Sequence, residues 1–268
     1  MDDNNNRICS QIILLLLIIP FDIYLLKRSY FSKWPNTPYK TFNIRKGLNN
    51  FKSFSEYYED LILYLLLFDI EKGFYIDVGA YDPIQVSVTK FFYLKGWRGI
   101  NIEPLPGKIE LFQKERPNDI NLQLAVGEKK GNVTFYIKGQ LSSVDEQYCK
   151  NCANKTIIEM DTLSNICETY VPKGTQIDFC KIDVEGSEKS VLLGANFINY
   201  RPKVFCIESV IPIELTPNYE LWEDILIKNN YSFIYSEGVN RFYVDNQIPE
   251  LIKRDKYIRK YRRRHRYH

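Results

Sequence analysis

From Phe74 onward, short apolar runs ending in glycine or an acid alternate with segments of helical spacing. That alternation leaves the chain few architectures. Phe74 to Val78 predicts a strand broken at Gly79, and Ile84 to Lys95 a helix ending at Gly96. Gly99 to Ile102 predicts a strand that stops at Glu103, followed by a helix over Pro106 to Glu115. Strands follow over Asn121 to Val126 and Val133 to Ile137, then a helix over Thr162 to Tyr170. Ile177 to Val184 is a strand leading through Gly186 into a helix that reaches Leu193. Lys203 to Ile207 is a strand and Tyr219 to Lys228 a helix; Tyr231 to Tyr235 and Arg241 to Val244 close as an antiparallel pair. Upstream, Ser55 is positioned to cap a helix that carries Leu61, Ile62, Leu65 and Leu66 on helical spacing.

Such a sequence of units predicts an α/β fold: a mostly parallel twisted sheet with helices on both faces and an antiparallel strand pair at the C-terminal end. Ligands of such sheets bind at the carboxyl ends of the strands, near the point where strand order reverses. The residues just after each strand therefore carry the functional information.

The first strand ends in Asp77-Val78-Gly79-Ala80-Tyr81-Asp82. Glycine there lets a ligand approach the backbone. Only one glycine is present, where a dinucleotide-binding turn uses three, so a nicotinamide-dependent oxidoreductase is disfavoured. Glu103 follows Gly79 by 24 residues at the tip of the second strand, where an acid accepts ribose hydroxyls. Val126, at the third strand end, suits the flank of an adenine ring. The fourth strand ends in Asp183-Val184-Glu185-Gly186-Ser187. If the chain stays extended there, both carboxylates project to one side. They can deprotonate a substrate hydroxyl, hold a divalent cation, or merely complement the dipole of the next helix, with Ser187 as its cap. Glu208, ending the fifth strand, points at the same edge.

The segment FYIDVGAYDPIQVSVTKFFYLKGWRGINIEP from Phe74 to Pro104 resembles the FkbM family of S-adenosylmethionine-dependent methyltransferases. So do KIDVEGSEKSVL from Lys181 to Leu192, the Glu59-Asp60-Leu61-Ile62-Leu63 run, the Ser142-Ser143 pair and Met160-Asp161-Thr162-Leu163. The likeness extends over residues 55–210. It departs from the family's pattern at Tyr81-Asp82-Pro83 and at Val88. The resemblance implies a class I Rossmann-like domain, with S-adenosylmethionine as methyl donor and a hydroxyl of a sugar, other glycoconjugate or small molecule as acceptor. It also implies donor contacts from Asp77, Gly79, Ala80, Tyr81, Glu103, Val126 and Ser143, with Asp183 and Glu185 facing the reacting centre. A non-catalytic donor-binding or membrane-associated scaffold protein is the alternative.

Composition narrows the chemistry. The only two histidines, His265 and His268, lie at the end of the chain, so residues 54–250, taken as the methyltransferase domain, hold no His-based nucleophile pair or metal site. Acid–base work there falls first to Asp183, with Glu185 as partner or metal ligand. Cys180 and Cys206 sit in apolar runs and read as core thiols, while Cys149 and Cys152 form a lone pair without zinc spacing.

From Lys253 on, nine basic residues face one acid, so this tail carries +8 of a net +3 and the rest of the chain −5. That is no basis for a nucleic-acid groove, and no nucleic-acid partner is expected. Residues 1–28 form an apolar N-terminal segment, 29–53 a linker and 251–268 the basic tail. Residues 12–26 suit either a single membrane anchor or a helix packed on the domain, the protein otherwise being cytoplasmic. The tail offers contact with anionic lipid worth about 1 kcal/mol per basic residue.

Overall fold

A computed structural model of the chain describes residues 52–149 and 154–254. The chain divides at Ser53, and the architecture below belongs to the unit that begins there. Residues 12–26, Cys152 and residues 255–268 lie outside the described part, as does the side chain of Cys149. Among the described residues no helix is long and apolar enough to cross a membrane.

Helix α1 (Glu59–Leu67) opens the unit. Tyr58 rather than Ser55 holds the N-cap position, yet Ser55 Oγ accepts the Asp60 amide of the first turn at 3.4 Å. Tyr58 takes a left-handed conformation at φ 64°, and buried Asp60 gathers the upstream turn. The Asp60 carboxylate accepts bonds from Ser53 Oγ, the Phe54 amide and Ser55 Oγ, each at 2.8 Å. Strand β1 (Phe74–Val78) is buried along its whole length, as a central parallel strand should be. The expected helix over 84–95 shrinks to α2 (Lys90–Leu94). Residues 83–89 stay irregular because buried Arg116 ties down the Pro83 carbonyl and the Ser87 hydroxyl, and Val86 sits at φ 53°.

Then come β2 (Arg98–Ile102), α3 (Ile109–Glu115) and β3 (Ile120–Leu122). The strand expected over 121–126 is two strands. β3 joins the main sheet, whereas β4 (Ala125–Val126) joins a small second sheet with β5 (Gly131–Ile137) and β6 (Asn154–Asp161) in the order β4-β6-β5. β6 was not anticipated. Its apolar positions are sparse, and Ile157 is 66% exposed. Helix α4 (Leu163–Tyr170) follows, capped by Thr162 Oγ1, which accepts the Asn165 amide at 3.1 Å. β7 (Phe179–Ile182), α5 (Glu188–Leu193) and β8 (Val204–Glu208) continue the alternation. Ser187 makes no capping bond to α5; the Glu188 carboxylate instead accepts the Val184 and Gly186 amides. The 3-10 turn Tyr219–Leu221, α6 (Glu223–Lys228) and the hairpin β9 (Tyr231–Glu237) to β10 (Asn240–Asp245) complete the unit.

The main sheet has seven strands in the order β3-β2-β1-β7-β8-β10-β9. Pairing is parallel from β3 to β8, and β10 runs antiparallel to both neighbours. Tyr75 stacks on Phe179, which meets Phe92 and Trp97 in tilted contacts, while Ile76 and Cys180 pack with Leu163 and Ile166 of α4 and with Val191 of α5. Successive strand residues face opposite sides, so both faces of the sheet are covered. This is the α/β Rossmann-like arrangement expected from the sequence. Strand order reverses between β1 and β7, whose ends are level, Val78 pairing with Ile182. Cys167, Cys180 and Cys206 are buried free thiols. The first residues of the basic tail are packed on the unit: Leu251 is buried and Arg254 pairs with Asp69 at 2.5 Å.

Candidate active site

At the reversal point the carboxyl ends of β1, β2, β7 and β8 open onto a cavity of about 320 Å³. Gly79, Ala80, Tyr81, Glu103, Val126, Asp183 and Glu185 all line it, so seven of the nine expected site residues meet in one place. Asp77 and Ser143 are buried and are not among the lining residues.

The turn after β1 explains part of this. Gly79 has φ 74°, and a Cβ on it would lie 1.8 Å from the Asp183 carbonyl oxygen. The β1 and β7 ends are thus in backbone contact, which only glycine permits. Tyr81, at φ 51°, turns the chain back over the cavity. Its amide donates to Glu103 Oε2 at 2.8 Å, and the Leu105 amide donates to Glu103 Oε1 at 2.7 Å. Burial pushes the Glu103 carboxyl above its ordinary range, against the pull of those two amides. Tyr81 also lies under Lys108, whose Nζ is 3.8 Å from the ring centre and 3.2 Å from Asp82.

Asp77 is buried and engaged on two sides. Its Oδ2 accepts Thr89 Oγ1 at 2.7 Å, and Arg116 Nη1 in turn donates to Thr89 Oγ1 at 2.6 Å. On the other side Lys181 Nζ lies 3.5 Å from Asp77 Oδ1 and 3.3 Å from Asp183 Oδ2, and it donates to the Gly79 carbonyl at 2.7 Å. Burial alone would lower the Lys181 ammonium, but Asp183 and Asp77 outweigh it and hold it above its usual value. Arg116, Thr89, Asp77, Lys181 and Asp183 therefore form one buried polar chain that ends at the cavity. Sequence reasoning missed Lys181. The available signal was a lone lysine inside the buried run Ile177 to Ile182, where an unpaired charge is not tolerated.

The chain is not extended after Asp183. Glu185 takes a left-handed conformation at φ 55°, and Ser143 Oγ donates to its carbonyl at 2.9 Å. Ser143 also accepts the Asp145 amide at 3.1 Å, so its hydroxyl anchors this turn. Even so, Asp183 and Glu185 come together, and Glu208 from the end of β8 joins them. One carboxylate oxygen of each lies within 4.8 Å of the other two. Glu188 lies close by. Burial and mutual repulsion raise these acids: Glu185 to about 8, Glu188 to about 7 and Glu208 to about 11. Glu188, like Lys181, was not anticipated.

The cavity edge thus carries one carboxylate at the β2 tip and others after β7. The family model described as "Methyltransferase FkbM domain" matches residues 77–235. The chain belongs to the FkbM methyltransferase family. The matched stretch runs from Asp77 to Tyr235 and contains the whole lining contributed by β2 and β7. No curated protein matches this FkbM methyltransferase at a significant level. Among solved structures it is similar to the C-terminal domain of precorrin-6Y C5,15-methyltransferase from Rhodobacter capsulatus. That likeness has 13% sequence identity and a TM-score of 0.34, over 69% of this chain and 84% of that one. At this level it supports no inference about activity.

Proposed function

We propose that this FkbM methyltransferase takes its methyl group from S-adenosylmethionine and transfers it to a hydroxyl of a sugar, other glycoconjugate or small molecule. The observation that carries this reading is the convergence of Gly79, Glu103 and Val126 with Asp183 around one cavity at the strand-order reversal.

The residues suit such a donor. Glu103 accepts only two amides, and a carboxylate has about four acceptor positions. In this reading its remaining capacity takes the ribose hydroxyls. Ala80 and Gly79 give close backbone approach beside the methionine part, and Val126 supplies an apolar wall for the adenine. A positive charge in the cavity would offset the mutual repulsion of these crowded acids and favour their ionised forms. S-adenosylmethionine supplies a methyl carbon already activated by its sulfonium.

The protein's task is then to align the acceptor, exclude water and take one proton. Asp183 is 32% exposed at the cavity and oriented by Lys181. It removes the hydroxyl proton as the oxygen–carbon bond forms and the sulfur–carbon bond breaks.

Asp183→Asn is expected to lower transfer of a labelled methyl group to a panel of glycosides and other hydroxyl compounds by about 10²–10⁴-fold. Calorimetric binding of S-adenosylhomocysteine should change little. Undiminished transfer in this variant removes Asp183 from the reaction. Donor binding by the native protein with no product from any acceptor would favour the non-catalytic alternative.

A further inference from the structure

We infer that Asp183, Glu185 and Glu208 form a binding site for one hard divalent cation, of the magnesium or manganese kind, at the acceptor end of the cavity. Three carboxylate oxygens from two separate strand ends lie within 4.8 Å of one another. They form part of the wall of a cavity open to solvent. The arrangement is held from outside the cluster: Ser143 anchors the Glu185 backbone, and β8 carries Glu208.

The positive charge nearby is already engaged. Lys181 is shared among Asp77, Asp183 and the Gly79 carbonyl. Among the described residues no ion pair reaches Glu185 or Glu208. A second observation points to a ligand. Glu208 is only 8% exposed, and its Oε2 is shut off from solvent without a hydrogen-bond partner, as is Oε2 of Glu185. A buried oxygen left so is destabilising, and more so when charged, unless something binds it.

The donor set is all oxygen. That selects a hard ion over zinc or copper. Magnesium and manganese keep several water ligands beside a few carboxylates, so positions remain for acceptor oxygens. An acceptor with two neighbouring hydroxyls is the class that fits such open positions. This role for the ion rests on the proposed methyl transfer, whereas the binding of the ion does not.

The test uses the full chain, stripped with a chelator and titrated with Mn²⁺ alone, with free Mn²⁺ followed by electron paramagnetic resonance. S-adenosylhomocysteine binding is measured on the same samples. One Mn²⁺ per chain is expected, displaced by Mg²⁺. Its affinity should fall by about tenfold or more in Glu208→Gln and in Glu185→Gln. It should stay unchanged in Glu110→Gln, an exposed acid on α3. Glu185 is less buried than Glu208, so its variant serves if Glu208→Gln does not fold. Absence of saturable binding, or equal affinity in all three variants, overturns the site. So does a Glu208→Gln protein that melts higher and whose Mn²⁺ binding is unaltered, since the acids then merely share protons. Donor binding without Mn²⁺ binding sinks the cation and leaves the methyl-donor reading standing.

Discussion

Gly79 joins the two strand ends that make the cavity. Its φ of 74° and the 1.8 Å approach of a Cβ to the Asp183 carbonyl leave no room for a side chain. Gly79→Ala should therefore cost at least about 2 kcal/mol, through left-handed strain and displacement of the β7 end. In a domain of this size that lowers the melting temperature by roughly 5 °C or more. Donor binding should weaken in parallel, and calorimetry reads both; an unchanged melting temperature would mean the two strand ends are not in contact. Lys181 is the companion case. It neutralises Asp77 and orients Asp183 at once, and no neighbouring residue in the chain announces that. The strand-end residues Gly79, Glu103 and Asp183 were legible because each follows directly on an apolar run. Asp77 and Ser143 were expected to touch a donor. Both side chains are buried outside the lining and engaged by Thr89, Lys181, Asp145 and Glu185.

Elements with strong local periodicity formed where the pattern put them, as β1, β2, β8 and α4 show. Residues 83–89 did not, and the cause lies far along the chain. Arg116 has no exposed surface. It donates to the Pro83 carbonyl at 2.6 Å, the Ser87 hydroxyl at 2.5 Å and Thr89 Oγ1 at 2.6 Å. Its planar fork satisfies these acceptors together, which a lysine cannot do. Arg116→Lys is expected to destabilise the protein by about 2–4 kcal/mol in chemical denaturation, because buried acceptors are left unpaired. Limited proteolysis should cut preferentially within 83–89; resistance equal to that of the native protein would show the segment is held by other contacts. The two-strand split at 121–126 has a similar origin. Leu122 pairs with Ile102 of β2, whereas Val126 pairs with Asp161 of β6. One apolar run thus serves two sheets, and its periodicity does not show the division.

Across the whole molecule, burial leaves several acids harder to ionise than in an open chain. Glu59, Asp60, Glu103 and Asp119 are all raised by burial, in spite of the hydrogen bonds each accepts. Their folded values exceed the unfolded ones. Their contribution is thus complete below the ordinary carboxylate range and is lost as pH rises through the folded values. Asp69, Asp82 and Asp161 shift downward, since burial is outweighed by hydrogen bonds and a basic partner. Their contribution is lost only as pH falls below that range. With Glu188 raised to about 7 and Glu185 to about 8 besides, the melting temperature in the presence of chelator should fall as pH is raised from about 5 to about 8. A flat or rising profile would contradict the burial of these acids. What the sequence alone determined was the order of elements, the fold class and the acids waiting at strand ends, because burial imposes a period on neighbouring residues. Only the tertiary structure decided how closely Glu208 approaches Asp183 and Glu185, that Lys181 reaches back 102 positions to the Gly79 carbonyl, and that Arg116 holds residues 83–89 out of a helix. Those are meetings between distant segments, and they depend on how strands stack side by side, which no local spacing encodes.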